Sequence, residues 1–348
     1  MSHDSSRRIV ILTEGHSEPI TAKTGVCVLR YRPEEVVAVY DTHQAGRTVG
    51  EVLGVGGDTP VIGQLAAAPE ANTLLVGIAP SGGKIPVAWR PVVLEAIRRG
   101  MNILSGLHDF MSDDPEFAAA ARQHGVKLID VRKNDEKDVP NRKGIRDDCI
   151  RIHTVGNDCS IGKMVVSVEI ARGLQARGRD AKFVATGQTG IMIEGDGCPI
   201  DRVVSDFVSG AVEKLVLANQ HHEFMVIEGQ ACLTHPRYSG VTLSLLHGCM
   251  PHGMVMCYEA GRTHVHGMEH IPLKPLDELV RIYETMANLQ GPSRFIGVGM
   301  NSRKFNAQQA EEERERVSRL LGLPVCDVIR DGPDALVEAA LALAPVAV

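Results

Sequence analysis

One stretch constrains this chain more than any other: a short apolar run, a glycine-bounded loop and a helix-patterned segment in immediate succession. The run CIRIHTV leads into GNDCSIGKM at Gly156 to Met164, and VVSVEIARGLQARG then repeats its apolar residues at helical spacing until Gly178. A glycine just past the last periodic residue is a common helix stop. A strand that turns through glycines into a helix N-terminus aims backbone N–H groups at one point, and the helix dipole and Lys163 add positive potential there. Phosphate is the natural guest. Gly156, Asn157, Asp158, Cys159, Ser160, Ile161, Gly162, Lys163 and Met164 are therefore the candidate cofactor-binding loop.

The same alternation organises the rest of the chain. Short apolar runs at Arg7 to Leu12, Val36 to Asp41 and Leu74 to Ile78 end in polar or glycine-rich sequence, as buried parallel strands do. The helix-spaced WRPVVLEAIRRGM and PEFAAAARQHG and the strand-like NILSGLHDF and VKLIDVR extend the pattern to about Arg132. Strand candidates recur at DAKFVAT, EFMVIEG, GMVMCYE and RFIGVGM, while the charged QAEEERERVSRLLG reads as a solvated helix face. Between the two series, KNDEKDVPNRKGIRDD at Lys133 to Asp148 has almost no apolar residue and reads as a linker. At 348 residues the chain exceeds what one core usually organises. The expected fold is α/β, with an N-terminal Rossmann-like parallel-sheet domain over residues 1–140 and a C-terminal P-loop NTPase-like α/β domain over residues 141–348.

Charge and composition narrow the function classes. A net charge of −6 with scattered Lys and Arg gives no footprint for nucleic acid. No apolar run reaches the roughly 18 to 20 residues a membrane span requires, and MSHDSSRRIV offers no stretch fit for a secretion signal. The eight cysteines are dispersed without a CxxC pair, so free thiols, no structural zinc and a cytoplasmic location are expected.

The loop departs from the usual phosphate loop in two ways. Five residues rather than four separate its glycines, a spacing that resembles the loop of dethiobiotin synthetase and its relatives, where an Asp stands at the place of Asp158. Met164 occupies the position where a Ser or Thr hydroxyl would hold Mg²⁺, and a thioether is a poor ligand for so hard an ion. A diphosphate still fits such a loop, whereas metal-assisted attack on a γ-phosphate loses support unless Asp158 and Glu228 suffice for Mg²⁺. Glu228 ends the apolar EFMVI, either beside the phosphates or as a strand-end acceptor of loop N–H groups. The glycine-rich VATGQTGIMIEGDGCPIDRVVSD, with Gln188, Thr189, Glu194, Asp196 and Asp201, reads as a catalytic loop.

Taken together, VGNDCSIGKM, ATGQTGI, DRVVSDFVSGAVE and VIEGQACLTHPRYSG, with APSGGKIPVAWRPVVLEAI and SGLHDFM upstream, resemble a family formerly described as a domain of unknown function. Its members now include D-glutamate N-acetyltransferases. The resemblance implies an enzyme that acetylates the amine of an acidic D-amino acid, D-glutamate, with acetyl-CoA as co-substrate at the loop and no metal required. A deprotonated amine would attack the thioester carbonyl, with N–H donors or a cation stabilising the oxyanion.

Several roles stay open at this point. Glu194, Asp196 and Glu228 are the catalytic candidates, and the histidines of THVHGMEH add to the pool of general bases; His264 and His266, alternating as on one strand face, either ligate a metal with His270 or, the commoner case, simply hydrogen-bond their loop. Cys159 as an acyl-carrying nucleophile competes with plain packing. Gln188, Thr189, Arg237 and Arg262 are the substrate-binding candidates, either arginine able to grip a carboxylate bidentately. Asn301, ending RFIGVGMN, is placed to read the adenine edge. SGGK at Ser81 to Lys84 binds a carboxylate or makes a turn. A small-molecule enzyme of this architecture is expected to be a homo-oligomer. The alternative function is an ATP-dependent ligase or kinase resembling dethiobiotin synthetase.

Overall fold

The computed structural model describes residues 7–80 and 82–344, so Ser81 of the SGGK turn lies outside the described residues. Its contacts divide the chain into two compact units: Met1–Lys133 together with Ile191–Asp196, and Asn134–Gly190 together with Gly197–Val348.

The first unit carries six parallel strands: β1 (Ile9–Leu12), β2 (Val36–Tyr40), β3 (Val61–Ile62), β4 (Thr73–Val76), β5 (Asn102–Ser105) and β6 (Leu128–Asp130). Helices α1 (Lys23–Tyr31), α2 (Val49–Leu53), α3 (Arg90–Arg98) and α4 (Pro115–His124) connect them. Their order, β3-β2-β1-β4-β5-β6, is that of Rossmann-type sheets. IVIL and TLLV are buried on both faces, which is why they read as continuous apolar runs without alternation. Val10, Leu12, Leu74, Val76 and Ile103 pack with Trp89, Val93, Ile97 and Phe117 into one core. The turn after β1 reads TEGHSEP, without the three-glycine dinucleotide fingerprint, so the likeness here is one of topology.

The second unit is built on another parallel sheet: β7 (Ile150–Gly156), β8 (Ala181–Val184), β9 (Phe224–Ile227), β10 (Gly253–Glu259), β13 (Arg294–Asn301) and β14 (Val325–Cys326). Between them run α5 (Lys163–Ala176), α6 (Gln188–Glu194), α7 (Val208–Asn219), α8 (Ser239–Cys249), α9 (Leu276–Ala287) and α10 (Ala307–Leu321), with α11 (Asp334–Leu341) last. A small antiparallel hairpin, β11 (His264–Val265) and β12 (Met268–Pro272), projects after β10. The strand order is β14-β13-β10-β7-β9-β8, with the phosphate-loop strand β7 in the interior and all seven of its residues buried. Two apolar clusters lie side by side on one face, Met254, Met256 and Val298 with Leu279, Tyr283 and Val317, and Val184, Met225 and Ile227 with Val208, Val212 and Leu245, while α5 and α11 pack on the other. The charged run of α10 buries only Ala310 and Val317, starts at an Asn306–Gln309 capping box and stops at Gly322.

The expected linker is not a free tether. From Asn134 onward it belongs to the second unit, where Glu213 of α7 accepts the N–H groups of Asn141 and Arg142, and Lys214 pairs with Glu136. Of its charges, Glu136, Asp138 and Arg142 find partners on α7, and Arg146 pairs with Asp148 within the segment.

Candidate functional site

The carboxyl ends of β7, β9, β10 and β13 meet around the loop of residues 157–162. Gly162 closes the loop at φ +110°, a backbone conformation that side-chain-bearing residues rarely adopt, and α5 starts at the next residue. The Tyr283 hydroxyl donates to Gly156 O at 2.9 Å and accepts Leu233 N–H at 3.1 Å, fixing the loop's entry from α9. Thr154 Oγ1 lies 2.8 Å from Ser167 Oγ and accepts Gly229 N–H at 3.0 Å, fixing its underside. Lys163 is buried, with Nζ donating to Asp158 O at 2.6 Å, so its charge stands over the loop. Asn157 is buried, and its Oδ1 has no hydrogen-bond partner among the described residues, an acceptor left for something the loop takes up. Met164 stands at the helix start as expected, and Ser167, one turn later, is engaged with Thr154.

Asp158 is fully buried and already saturated. Its Oδ2 accepts Arg262 Nη1 at 2.8 Å and His266 N–H at 2.9 Å, and its Oδ1 accepts Cys159 N–H at 2.7 Å. His235, also buried, sets Nε2 at 3.7 Å from Asp158 Oδ1, while its Nδ1 accepts Arg237 N–H. The neutral ring therefore carries its proton on Nε2, facing Asp158; burial lowers its pKa despite that carboxylate. Asp158, Cys159 and His235 bring potential ligand atoms within 4.8 Å of one another. An Nε2–H donor and a carboxylate already paired to Arg262 are poor partners for a cation, which argues against the Asp158-based Mg²⁺ site weighed from sequence.

Arg262 departs from the expectation of a substrate fork. Nη1 donates to Asp158 and to Cys159 O, and Nη2 donates at 2.6 Å to the fully buried Glu259. With its donors bound to its own loop, it fastens the cradle instead of gripping a second carboxylate bidentately. Arg237 is exposed, and its guanidinium has no partner among the described residues.

Glu228 lies immediately after β9, buried, with Oε2 accepting the N–H groups of Thr186 at 2.9 Å and Gly187 at 3.0 Å. Gly190 of α6 permits this approach, because a Cβ there would stand 2.5 Å from Glu228 Oε2. Burial pushes the carboxyl up to about 7 against the pull of those two backbone donors. Gln188 is buried at the start of α6, next to the strand-end turn that holds Glu228, and Thr189 follows it. Glu194 is the last residue of α6 and Asp196 follows it, both in the segment Ile191–Asp196 that groups with the first unit. Asn301 Nδ2 donates to Ile161 O at 3.3 Å, bracing the loop from β13. His264, His266 and His270 are exposed on the hairpin, where His264 Nδ1 meets Thr263 Oγ1 and the backbone of His266 binds Asp158.

Sequence reasoning missed His235, Glu259 and Tyr283. Glu259 had a visible signal, since it ends an apolar strand just as Glu228 does. His235 and Tyr283 had none, because a buried imidazole and a helix-face tyrosine acquire their partners only when distant segments meet.

The comparisons with known proteins cover nearly the same ground as this geometry. A P-loop domain model described as a domain of unknown function, DUF1611_C, matches residues 138–337, and a Rossmann-like one, DUF1611_N, matches residues 42–134. A protein of Pseudoalteromonas sp named D-glutamate N-acetyltransferase is 37% identical over 273 residues, 78% of this chain and 82% of its own. A protein of the same name from Tritonibacter scottomollicae is 34% identical over 325 residues, 93% of this chain and 95% of its own. The crystal structure of a DUF1611 family protein from Anabaena variabilis ATCC 29413 is similar at a TM-score of 0.90 and 36% identity, covering 97% of this chain and 99% of that one.

Proposed function

The chain belongs to the DUF1611 family, and we propose that it is an N-acetyltransferase that moves the acetyl group of acetyl-CoA onto the amine of D-glutamate. The observation that carries this reading is identity of 34% and 37%, over most of the chain, to two proteins named for that activity. The loop suits the donor. Its Lys163 and its α5 N-terminus offer charge and N–H donors to a diphosphate, Asn157 Oδ1, without a partner among the described residues, can accept from an O–H or N–H elsewhere on the donor molecule, and Met164 offers nothing to Mg²⁺. Acetyl-CoA supplies an electrophilic thioester carbonyl. In our reading Glu228 takes a proton from the substrate ammonium, the amine nitrogen forms its bond to the acetyl carbon as the C–S bond breaks, and a proton passes to the departing thiolate. A carboxyl poised at about 7 suits both halves of that exchange. Arg237, exposed beside His235, is the side chain we assign to a substrate carboxylate, and we assign Gln188 and Thr189 to the substrate as well.

The reading keeps the cytoplasmic location, for which eight cysteines outside any disulfide are the support, and the homo-oligomer. No helix among the described residues is long and apolar enough to cross a membrane.

Thermal stabilisation by ligands separates this proposal from the ATP-dependent alternative. Acetyl-CoA at a hundred times its Kd is expected to add about 2.7 kcal/mol without Mg²⁺, and Lys163→Ala is expected to lose that gain. Stabilisation by Mg-ATP alone would overturn the acetyltransferase reading and favour a ligase or kinase.

A further inference from the structure

Beside the loop stands a group of cations that the reaction just described does not use. Arg262, Arg303 and Lys304 converge on the fully buried Glu259: Arg262 Nη2 at 2.6 Å and Arg303 Nη2 at 2.7 Å from Oε2, and Lys304 Nζ at 2.6 Å from Oε1. Arg262 is turned inward, with 10% of its side chain exposed. Arg303 and Lys304 keep 39% and 57% in solvent at the lip. With Lys163 and Asp158 included, four cations face two carboxylates on this side of the loop. The next pair out does not cancel the excess. Asp327 accepts Ser302 N–H and Oγ–H, while Arg330 donates to the carbonyls of Ser302, Phe305 and Asn306, adding one charge of each sign. One carboxylate shared by three cations leaves positive potential for a polyanion.

The segment that carries the pair is also held in place. Asn301 Nδ2 ties its start to Ile161 O of the phosphate loop, Asp327 pins Ser302, and Arg330 fastens the carbonyls that follow. Arg303 and Lys304 thus open beside the phosphate cradle from a fixed backbone, so little ordering is left to be done when an anion arrives.

We infer that Arg303 and Lys304 form a second phosphate subsite flanking the loop, and that it takes the 3′-phosphate of coenzyme A. This rests on the reading of acetyl-CoA as donor. Coenzyme A carries a diphosphate and a separate phosphomonoester on one ribose, so its two anionic groups are set apart by a sugar. ATP carries its three phosphates in a single chain. A diphosphate cradle with a distinct cation pair at its side matches the first pattern: the arginine fork meets a phosphate bidentately and the lysine adds a point charge. The same pair then selects coenzyme A thioesters over nucleoside triphosphates.

The test compares free-thiol release from acetyl-CoA and from acetyl-3′-dephospho-CoA, each with D-glutamate, for the wild type, Arg303→Ala and Lys304→Ala. The wild type is expected to favour acetyl-CoA in kcat/KM by on the order of tenfold to a hundredfold, the scale of one or two charge-assisted hydrogen bonds. Each variant is expected to lose most of that preference through KM while turning over the dephospho donor as the wild type does, which also shows that it is folded. Equal use of both donors by the wild type would overturn the subsite and leave the acetyltransferase reading standing. So would a preference that survives in both variants, or variants that fail equally with both donors. Release from neither donor by the wild type would instead remove the reading on which the subsite rests.

Discussion

Among single residues, Glu228 carries the sharpest consequences. Its carboxyl reaches about 7 because burial outweighs two backbone donors, and only its unprotonated form can accept a proton. The pH profile of kcat/KM is therefore expected to rise through about 7 and level above it, and Glu228→Gln to lower kcat by roughly 10²–10⁴-fold. The stability effect has the opposite sense. Because the folded value lies above the ordinary 4.5, the native state holds a proton that the unfolded chain releases. That contribution is whole below about 4.5 and is lost as the pH rises through about 7. Glu228→Gln should accordingly melt increasingly above the wild type as the pH is raised across that window. A melting difference that stays flat with pH would mean the carboxyl titrates near its ordinary value.

At the scale of elements, the site depends on how β7, the loop and α5 are fastened by their neighbours. The loop entrance hangs on one hydroxyl of α9: Tyr283 donates to Gly156 O in the interior and accepts the half-buried Leu233 N–H. Tyr283→Phe keeps the packing of the ring and leaves those two groups unpaired, at a cost of about 1–3 kcal/mol. We expect a lower melting temperature together with a raised Kd for acetyl-CoA measured by titration calorimetry. Unchanged affinity in a destabilised variant would show that α9 supports the sheet without shaping the loop. The hairpin β11–β12 acts in the same manner, since the backbone of His266 and the side chain of Arg262 hold Asp158 from beyond β10.

For the whole molecule, the distribution of thiols offers a global check on burial. Cys27 and Cys159 are half-buried and the other six cysteines are buried, five of them with thiols that burial holds at about 11 or 12. Brief alkylation of the native protein, read by peptide mass spectrometry, is expected to mark Cys27 and Cys159 alone, with acetyl-CoA protecting Cys159. Labelling of Cys257 or Cys249 under native conditions would contradict the packing of the second unit's interior. What could be read in the sequence follows from range. CIRIHTV, the glycines around it and the helical spacing after it are local patterns, so they determined the strand, loop and helix and with them the α/β class and the P-loop domain. Glu228 and Glu259 stand in matching places at the ends of apolar strands, and sequence cannot tell them apart. Only the fold surrounds one with backbone donors and the other with three cations. Arg262 and Asp158 are 104 residues apart in the chain yet 2.8 Å apart in space, and that contact changes a free substrate fork into a strut of the loop. Local periodicity is set by neighbours in sequence. The charge state, partners and availability of a side chain are set by what the sheet order brings against it.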